Sequence, residues 1–169
     1  MTLALFTGSM NPFTLGHLHL VEMSLLVFDQ VIVGIGSNPE KQVSGPFSLD
    51  ERLKLIRESV PDYGERVAVQ TYEGATVDFA LEVGATAMVR GIRNSTDHGH
   101  EASMNFANSL MTREEGGRLV PTLYFQCPPA LMEVSSSRVR ELMTLGRGDN
   151  VLCHYVPIPV LEAIHSKRQ

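Results

Sequence analysis

The sequence contains no tryptophan and only two cysteines, Cys127 and Cys153. Because these cysteines do not form a CxxC pair, they give no sign of a disulfide framework or a thiolate metal site, and we expect buried or neutral thiols. No apolar run reaches the roughly 18 residues of a membrane span. Residues 1–6 also lack the basic region and the long apolar core of a signal peptide. We therefore expect a cytoplasmic protein with no membrane partner.

Positive charge is also scarce, because 14 Lys and Arg stand against 19 Asp and Glu, a formal net charge of −5. A surface that binds long nucleic acids needs clustered cations to displace counterions, so we expect no nucleic-acid partner. A small anionic ligand needs only a local positive pocket and stays possible. The length and the ordinary apolar fraction predict a single domain over residues 1–169.

Short apolar runs alternate along the chain with stretches in which apolar residues recur at helical spacing. The strand-like runs are residues 3–7, 31–35, 67–69, 86–89 and 123–125. The helical sets are Leu18, Val21, Leu25 and Phe28; Leu49, Leu53, Ile56 and Val60; and Val139, Leu142 and Met143. Such alternation predicts an α/β fold, a Rossmann-like doubly wound sheet of about five parallel strands with helices on both faces. Ser48 to Glu51 has the pattern of a capping box and predicts the start of the second helix.

The first candidate motif is Thr7 to His17, TGSMNPFTLGH, between the first predicted strand and the first predicted helix. Small residues let the backbone approach a ligand closely, and a helix N-terminus offers unpaired amides and partial positive charge to phosphate. An ordinary turn is the alternative. A pattern of this length is more specific than a lone glycine motif, so we favour a phosphate site.

Two further motifs follow predicted strands, where ligands bind in open α/β sheets. Val134 to Arg140, VSSSRVR, enters a predicted helix, and helix capping alone would explain its serines. Val89 to Asp97, VRGIRNSTD, carries Arg90 and Arg93 and is followed by Glu101. Paired arginines suit multidentate phosphate recognition, and a surface charge pair is the less favoured alternative.

Together these motifs resemble the nucleotidyltransferase superfamily marked by a Thr/His-x-Gly-His signature, here Thr14 to His17. The Arg-Gly-Ile-Arg segment, followed by Asp97 and Glu101, is similar to phosphopantetheine adenylyltransferases, and the likeness covers nearly the whole chain. It implies transfer of the adenylyl group of ATP to 4′-phosphopantetheine by direct in-line attack. The products would be dephospho-coenzyme A, an intermediate of coenzyme A biosynthesis, and pyrophosphate.

The same resemblance implies a role for particular residues. His17, Lys41 and Arg90 would be catalytic, with Asp97 in support. The ATP-binding residues would be Ser9, Met10, Thr14, Gly16, His17, Gly91, Arg93, Glu101, Ser135, Ser136 and Ser137. The acceptor 4′-phosphopantetheine would contact Ser9, Lys41, Ala75, Thr76 and Arg90. Mg²⁺ would be the cofactor, held mainly by the ATP phosphates, and the family's homohexamer and its restraint by coenzyme A would apply.

The chain also departs from the family pattern. Met10 replaces an aromatic residue, Asn11 replaces the usual Asp, Leu15 replaces a frequent Asn, and residues 98–100 replace an aromatic-rich stretch. Two alternatives therefore stay open: a superfamily enzyme acting on nicotinamide mononucleotide or a phosphorylated alcohol, and a nucleotide-binding regulator without catalysis. A zinc site at His98 and His100 is disfavoured, because a spacing of two on a helix points the side chains apart.

Overall fold

The computed structural model describes residues 1–37, 45–93 and 118–168. Its centre is a five-stranded sheet in the order β3-β2-β1-β4-β5, in which every neighbouring pair is parallel. The strands are β1 (Leu3–Gly8), β2 (Gln30–Gly36), β3 (Val67–Tyr72), β4 (Ala87–Ile92) and β5 (Thr122–Gln126). All five coincide with the predicted apolar runs, so the predicted parallel α/β sheet is confirmed.

The described helices are α1 (Leu15–Leu25), α2 (Leu49–Ser59), α3 (Thr76–Glu82), α4 (Ser136–Thr144), α5 (Asp149–Leu152) and α6 (Ile158–Ser166). Short 3-10 helices cover Pro61–Arg66 and Pro129–Leu131. The predicted capping box is confirmed, since Ser48 and Glu51 exchange side-chain to backbone hydrogen bonds at the start of α2. The first helix is shorter than predicted, because it ends at Leu25 and Phe28 is buried beyond it.

Alternate residues of the strands point to opposite faces of the sheet and join two apolar clusters. Ala4 and Phe6 of β1 belong to the larger cluster, which packs against α1, α2, α4 and α6. Leu5 faces the other way, into a smaller cluster with Phe79 and Ala80 of α3. Helices therefore cover both faces of the sheet, and a ligand can reach it at the ends of the strands.

Strand order reverses between β1 and β4, which are neighbours in the sheet although two strands separate them in the chain. At such a switch point the connections leave in opposite directions, and a crevice opens beyond the carboxyl ends of the strands. The fold thus predicts where a ligand binds. Within the described ranges no helix is long and apolar enough to cross a membrane.

Candidate active site

A cleft of about 1110 Å³ lies beyond the carboxyl ends of the strands. Its wall includes the last residue of β1, β2 and β3, the residues Arg90 and Gly91 near the end of β4, and Cys127 directly after β5. It therefore spans the whole edge of the sheet and is centred on the switch point. This position agrees with the rule for open α/β sheets.

The cleft brings together most of the residues that the sequence motifs indicated. The lining residues among them are Ser9, Thr14, Gly16, His17, Ala75, Thr76, Arg90, Gly91, Arg93, Ser135, Ser136 and Ser137. Lys41, Asp97, His98, His100 and Glu101 lie outside the described residues. Three of the cationic or basic side chains expected at the phosphates, those of His17, Arg90 and Arg93, share this one cavity.

The side chain of Met10, a residue expected to contact ATP, lies in the core. Its backbone has φ 47°, in the left-handed region, and its side chain is only 1% exposed within the larger apolar cluster. It does not line the cleft. The turn after β1 thus directs the thioether side chain of Met10 into the core.

His17 is fixed as a neutral imidazole. The backbone N–H of Thr14 donates to its Nδ1 at 3.0 Å, and the backbone N–H of His17 donates to the Thr14 hydroxyl, which makes a reciprocal cap on α1. Burial and, secondarily, the charge of Arg93 lower its pKa from 6.5 to about 4. With Nδ1 accepting a hydrogen bond, the ring proton is on Nε2, which makes Nε2 the donor that this ring offers.

Gly16 allows the starts of α1 and α4 to approach each other. A Cβ at this position would lie 3.3 Å from the backbone oxygen of Val134, which directly precedes the serine motif. Any side chain would push the two segments apart. Both helix N-termini therefore face the same cleft, where their unpaired amides favour an anion.

The three serines of the second motif have distinct contacts. Ser135 caps α4 by accepting from the Arg138 backbone N–H at 3.1 Å, which confirms the capping interpretation for this residue. Ser136 donates to the backbone oxygen of Pro12 at 2.8 Å. All three serines also line the cleft, so they are placed to contact a ligand as well as to shape the start of α4. The motif joins the start of α4 to the turn after β1.

Arg140 is a lining residue that the sequence analysis did not select. Its guanidinium donates to the backbone oxygen of Asn11 at 2.8 Å and to the Ser137 hydroxyl at 3.1 Å. Its position, one helical turn after Ser137 on the same face of α4, was the signal available in the sequence. It adds a cation beside the two helix N-termini.

Arg90 extends from β4 across the switch point to β1. Its Nη1 donates to the backbone oxygen of Thr7 at 2.5 Å, so the guanidinium is anchored at the end of β1. Gly91 and Arg93 follow it along the cleft wall. The arginine pair is therefore part of the site and not an isolated surface pair.

Comparison with known proteins shows the family to which this chain belongs. The profile of the cytidylyltransferase-like family matches residues 5–142. A phosphopantetheine adenylyltransferase from Streptococcus pneumoniae is 36% identical over 167 residues, covering 99% of this chain and 97% of that protein. A phosphopantetheine adenylyltransferase from Rhodopirellula baltica is 35% identical over 166 residues, covering 98% of this chain and 88% of that protein. The chain belongs to the phosphopantetheine adenylyltransferase family. It is therefore a nucleotidyltransferase.

Solved structures agree on the fold of this phosphopantetheine adenylyltransferase family member. A bifunctional NMN adenylyltransferase/ADP ribose pyrophosphatase from Francisella tularensis matches with a TM-score of 0.60 and 18% identity, covering 86% of this chain and 42% of that one. A lipopolysaccharide core biosynthesis protein from Thermoplasma volcanium matches with a TM-score of 0.53 and 18% identity, covering 76% of this chain and 97% of that one. At this identity the likeness concerns the fold alone.

Asn11, where phosphopantetheine adenylyltransferases usually have Asp, has a structural explanation in this chain. It is 1% exposed, its Nδ2 donates to the Phe47 backbone oxygen at 2.8 Å, and its Oδ1 accepts from the Phe47 N–H at 3.0 Å. Gly45 lies against the amide so closely that a Cβ there would be 2.3 Å from its carbon. Asn11 thus ties the turn after β1 to the segment that leads into α2.

Tyr72, Glu73 and Ser37 also line the cleft and were not selected from the sequence. Tyr72 closes β3, opposite Gly36 of β2, and the Ser37 backbone N–H donates to the Tyr72 carbonyl oxygen at 2.8 Å. These residues surround the part of the cleft beyond β2 and β3. None of the described lining residues in that part is Lys or Arg, so the arginines that the structure describes in the cleft lie on the side of β1, β4 and α4.

Proposed function

We propose that this chain transfers the adenylyl group of ATP to 4′-phosphopantetheine and releases dephospho-coenzyme A and pyrophosphate. One observation carries the proposal. A single cleft at the switch point holds His17, Arg90, Arg93 and Arg140 together with the N-termini of α1 and α4. Adenylyl transfer requires such a site, because a triphosphate and an acceptor phosphate must be held together against their mutual repulsion.

The triphosphate of ATP is assigned to the side of α1 and α4. Ser135, Ser136 and Ser137 with Arg140 form one wall, and Thr14 with His17 forms the other. Hydroxyls, free helix amides and a guanidinium are the donors that phosphate oxygens prefer. Ser9, Gly91, Arg93 and, outside the described residues, Glu101 are assigned to the rest of the nucleotide.

The acceptor phosphate is assigned to the space beside Arg90, and its neutral arm to the part of the cleft beyond β2 and β3, near Ala75 and Thr76. Arg90 is anchored on Thr7, so its charge is held at the junction of the two halves. Lys41, in the segment after β2, is proposed to reach this junction from the opposite side. Both cations then offset repulsion between the acceptor and the α-phosphate.

The reaction needs no general base, because a phosphate monoester is already ionised and nucleophilic at neutral pH. An oxygen of the acceptor phosphate attacks the α-phosphorus of ATP, and the bond from that phosphorus to the bridging oxygen of pyrophosphate breaks. The neutral imidazole of His17 donates from Nε2 to a phosphate oxygen as negative charge develops. A preorganised donor of this kind is worth about 10²- to 10³-fold in rate.

Mg²⁺ is proposed as the cofactor, bound mainly by the triphosphate. The donor set fits this arrangement, because the described lining residues near α1 and α4 are cations, hydroxyls and amides. Among the residues that the structure describes, no group of three His, Cys, Asp or Glu side chains is placed to hold a metal ion. When bound, Mg²⁺ neutralises triphosphate charge and assists the departure of pyrophosphate.

Three further features belong to the proposal. The protein is expected to act in the cytoplasm, as a homohexamer, and to be restrained by coenzyme A, whose pantetheine arm and nucleotide fit the same two halves of the cleft. Size-exclusion chromatography with light scattering and an inhibition assay with coenzyme A test the last two directly.

Pyrophosphate release tests the proposed function. The chain is incubated with ATP and Mg²⁺ and, separately, with 4′-phosphopantetheine, nicotinamide mononucleotide or no acceptor. Release that requires 4′-phosphopantetheine supports the proposal. Release only with nicotinamide mononucleotide would assign the enzyme to that acceptor, and ATP binding without any release would indicate a regulator.

A further inference from the structure

The hydroxyl groups of Tyr72 and Thr76 form a pair in the half of the cleft that contains no described cation. The Tyr72 oxygen and the Thr76 Oγ1 are 2.8 Å apart, and both residues line the cavity. Either hydroxyl can donate to the other, so the bond between them uses only one of their two hydrogens. The pair therefore keeps one donor and several acceptor positions for a ligand.

The tyrosine ring is held in place on several sides. It stacks on Phe79 with the ring centroids 4.7 Å apart and the planes at 3°, and Phe79 itself is buried in the smaller apolar cluster. Across the strand pair, a Cβ at Gly36 would lie 3.4 Å from the Tyr72 hydroxyl, so the absence of a side chain there leaves the hydroxyl accessible. A fixed hydroxyl loses little entropy when it binds a ligand.

The charge of this region indicates which part of a substrate it takes. The described side chains that line it are Ser37, Tyr72, Glu73, Ala75 and Thr76, which are neutral or acidic. A phosphate would be repelled here and attracted to the arginines on the other side. The occupant is thus an uncharged segment that both accepts and donates hydrogen bonds, and amide groups have this chemistry.

We infer that the Tyr72–Thr76 hydroxyl pair recognises an amide of the acceptor arm and is a specificity-determining element of this enzyme. The inference rests on the proposed function, in which the acceptor is a phosphate ester with a neutral, amide-containing arm. One hydroxyl of the pair donates to the amide carbonyl, and an oxygen of the pair accepts from the amide N–H. The pair contacts neither the transferred phosphorus nor the nucleotide.

Isosteric variants separate this role from a structural one. Tyr72→Phe and Thr76→Val each remove one hydroxyl and keep the shape of the side chain. Each is expected to raise KM for 4′-phosphopantetheine about tenfold, because the loss of one hydrogen bond to a ligand costs on this order. KM for ATP should stay within about twofold of the original, since the nucleotide binds in the other half of the cleft.

A second acceptor and a matched control make the test specific. With an alkyl phosphate of similar length but without amides, the two variants should have the same kcat/KM as the original chain. Tyr63→Phe is the control, because its hydroxyl bonds Glu22 and does not line the cleft. Tyr63→Phe should change neither KM for 4′-phosphopantetheine nor KM for ATP.

The outcomes are distinguishable. An unchanged KM for 4′-phosphopantetheine in both variants, or an equal loss with the alkyl phosphate, overturns the inference and leaves the proposed function intact. Absence of turnover of 4′-phosphopantetheine by the original chain rejects the proposed function and this inference together. A rise in KM for the amide-containing acceptor alone supports both.

Discussion

The side-chain amide of Asn11 and the backbone of Phe47 pair as two peptide groups do, with one hydrogen bond in each direction. The pair links residues that are 36 positions apart and holds the turn after β1 against the segment before α2. Only an amide can satisfy both backbone groups, because a carboxylate accepts hydrogen bonds but does not donate them. This explains an Asn at a position where the family usually has Asp.

Asn11→Asp should therefore lower the free energy of unfolding by about 1–3 kcal/mol at pH 8, since the Phe47 carbonyl then faces a buried carboxylate. Burial raises the pKa of such a carboxyl. Its protonated form can donate to the carbonyl, so the loss should shrink as pH falls toward 4. Urea unfolding at both pH values measures this, with the exposed Asn150→Asp as control. A loss that is the same at both pH values would contradict the pairing argument.

His17 should make the protein less stable as pH falls from 6.5 toward 4. The pKa of His17 is about 4 in the folded chain, whereas the unfolded imidazole keeps 6.5. Between these two pKa values the unfolded state binds more protons than the folded state, so the free energy of unfolding decreases as the pH falls. His17→Gln should remove this component of the pH dependence. Identical slopes of stability against pH for the two proteins would show that the pKa of the His17 imidazole is not lowered by folding.

His17→Ala should reduce kcat by about 10²- to 10³-fold, because the donor aimed at the developing phosphate charge is lost. Circular dichroism should show an intact fold. His19→Ala is the matched control, since His19 lies on the same helix, near Glu22, and does not line the cleft. Near-normal turnover of His17→Ala would reject the assigned role.

Arg90→Ala should weaken use of 4′-phosphopantetheine more than it weakens ATP binding. The anchored guanidinium lies at the junction where the acceptor phosphate is assigned, and a lost charged donor costs about 10-fold or more. Arg118→Ala is the control, because Arg118 also donates to a backbone carbonyl but lies outside the cleft. Calorimetry that shows the larger loss for ATP would move Arg90 to the nucleotide side.

Arg140→Ala should raise KM for ATP by about 10-fold, because its guanidinium stands with Ser137 beside the start of α4 and is assigned to the triphosphate. The neighbouring Arg138→Ala should have little effect. Arg138 pairs with Glu141 at 2.9 Å and is absent from the cleft wall. Equal effects of the two substitutions would contradict the assignment of Arg140.

The strands and the position of the cleft could be predicted from the sequence, because both depend on local patterns. Runs such as Val31 to Ile35 are apolar and β-branched, and the motifs follow the strands directly. The starts of α1 and α4 carry capping residues, Thr14 and Ser135, whose hydrogen bonds lie within one turn. Hydrogen bonds between residues this close in the chain can be predicted from the sequence alone.

Side-chain direction and long-range partners could not be predicted in the same way. Met10 points into the core because the backbone after β1 takes a left-handed conformation, which the sequence pattern does not reveal. Arg140 reaches the backbone oxygen of Asn11 across 129 positions of the chain. Thr76, the partner of Tyr72, is only four positions away, but it begins α3, which was not predicted as a helix. Such contacts depend on the tertiary structure.

The most direct test is mass spectrometry of a quenched reaction containing the chain, ATP, Mg²⁺ and 4′-phosphopantetheine. Direct transfer predicts dephospho-coenzyme A in amounts equal to the pyrophosphate released, with the protein at its unmodified mass throughout turnover. Pyrophosphate without dephospho-coenzyme A, or a protein that carries covalent AMP, would contradict in-line transfer between two substrates held in one cleft.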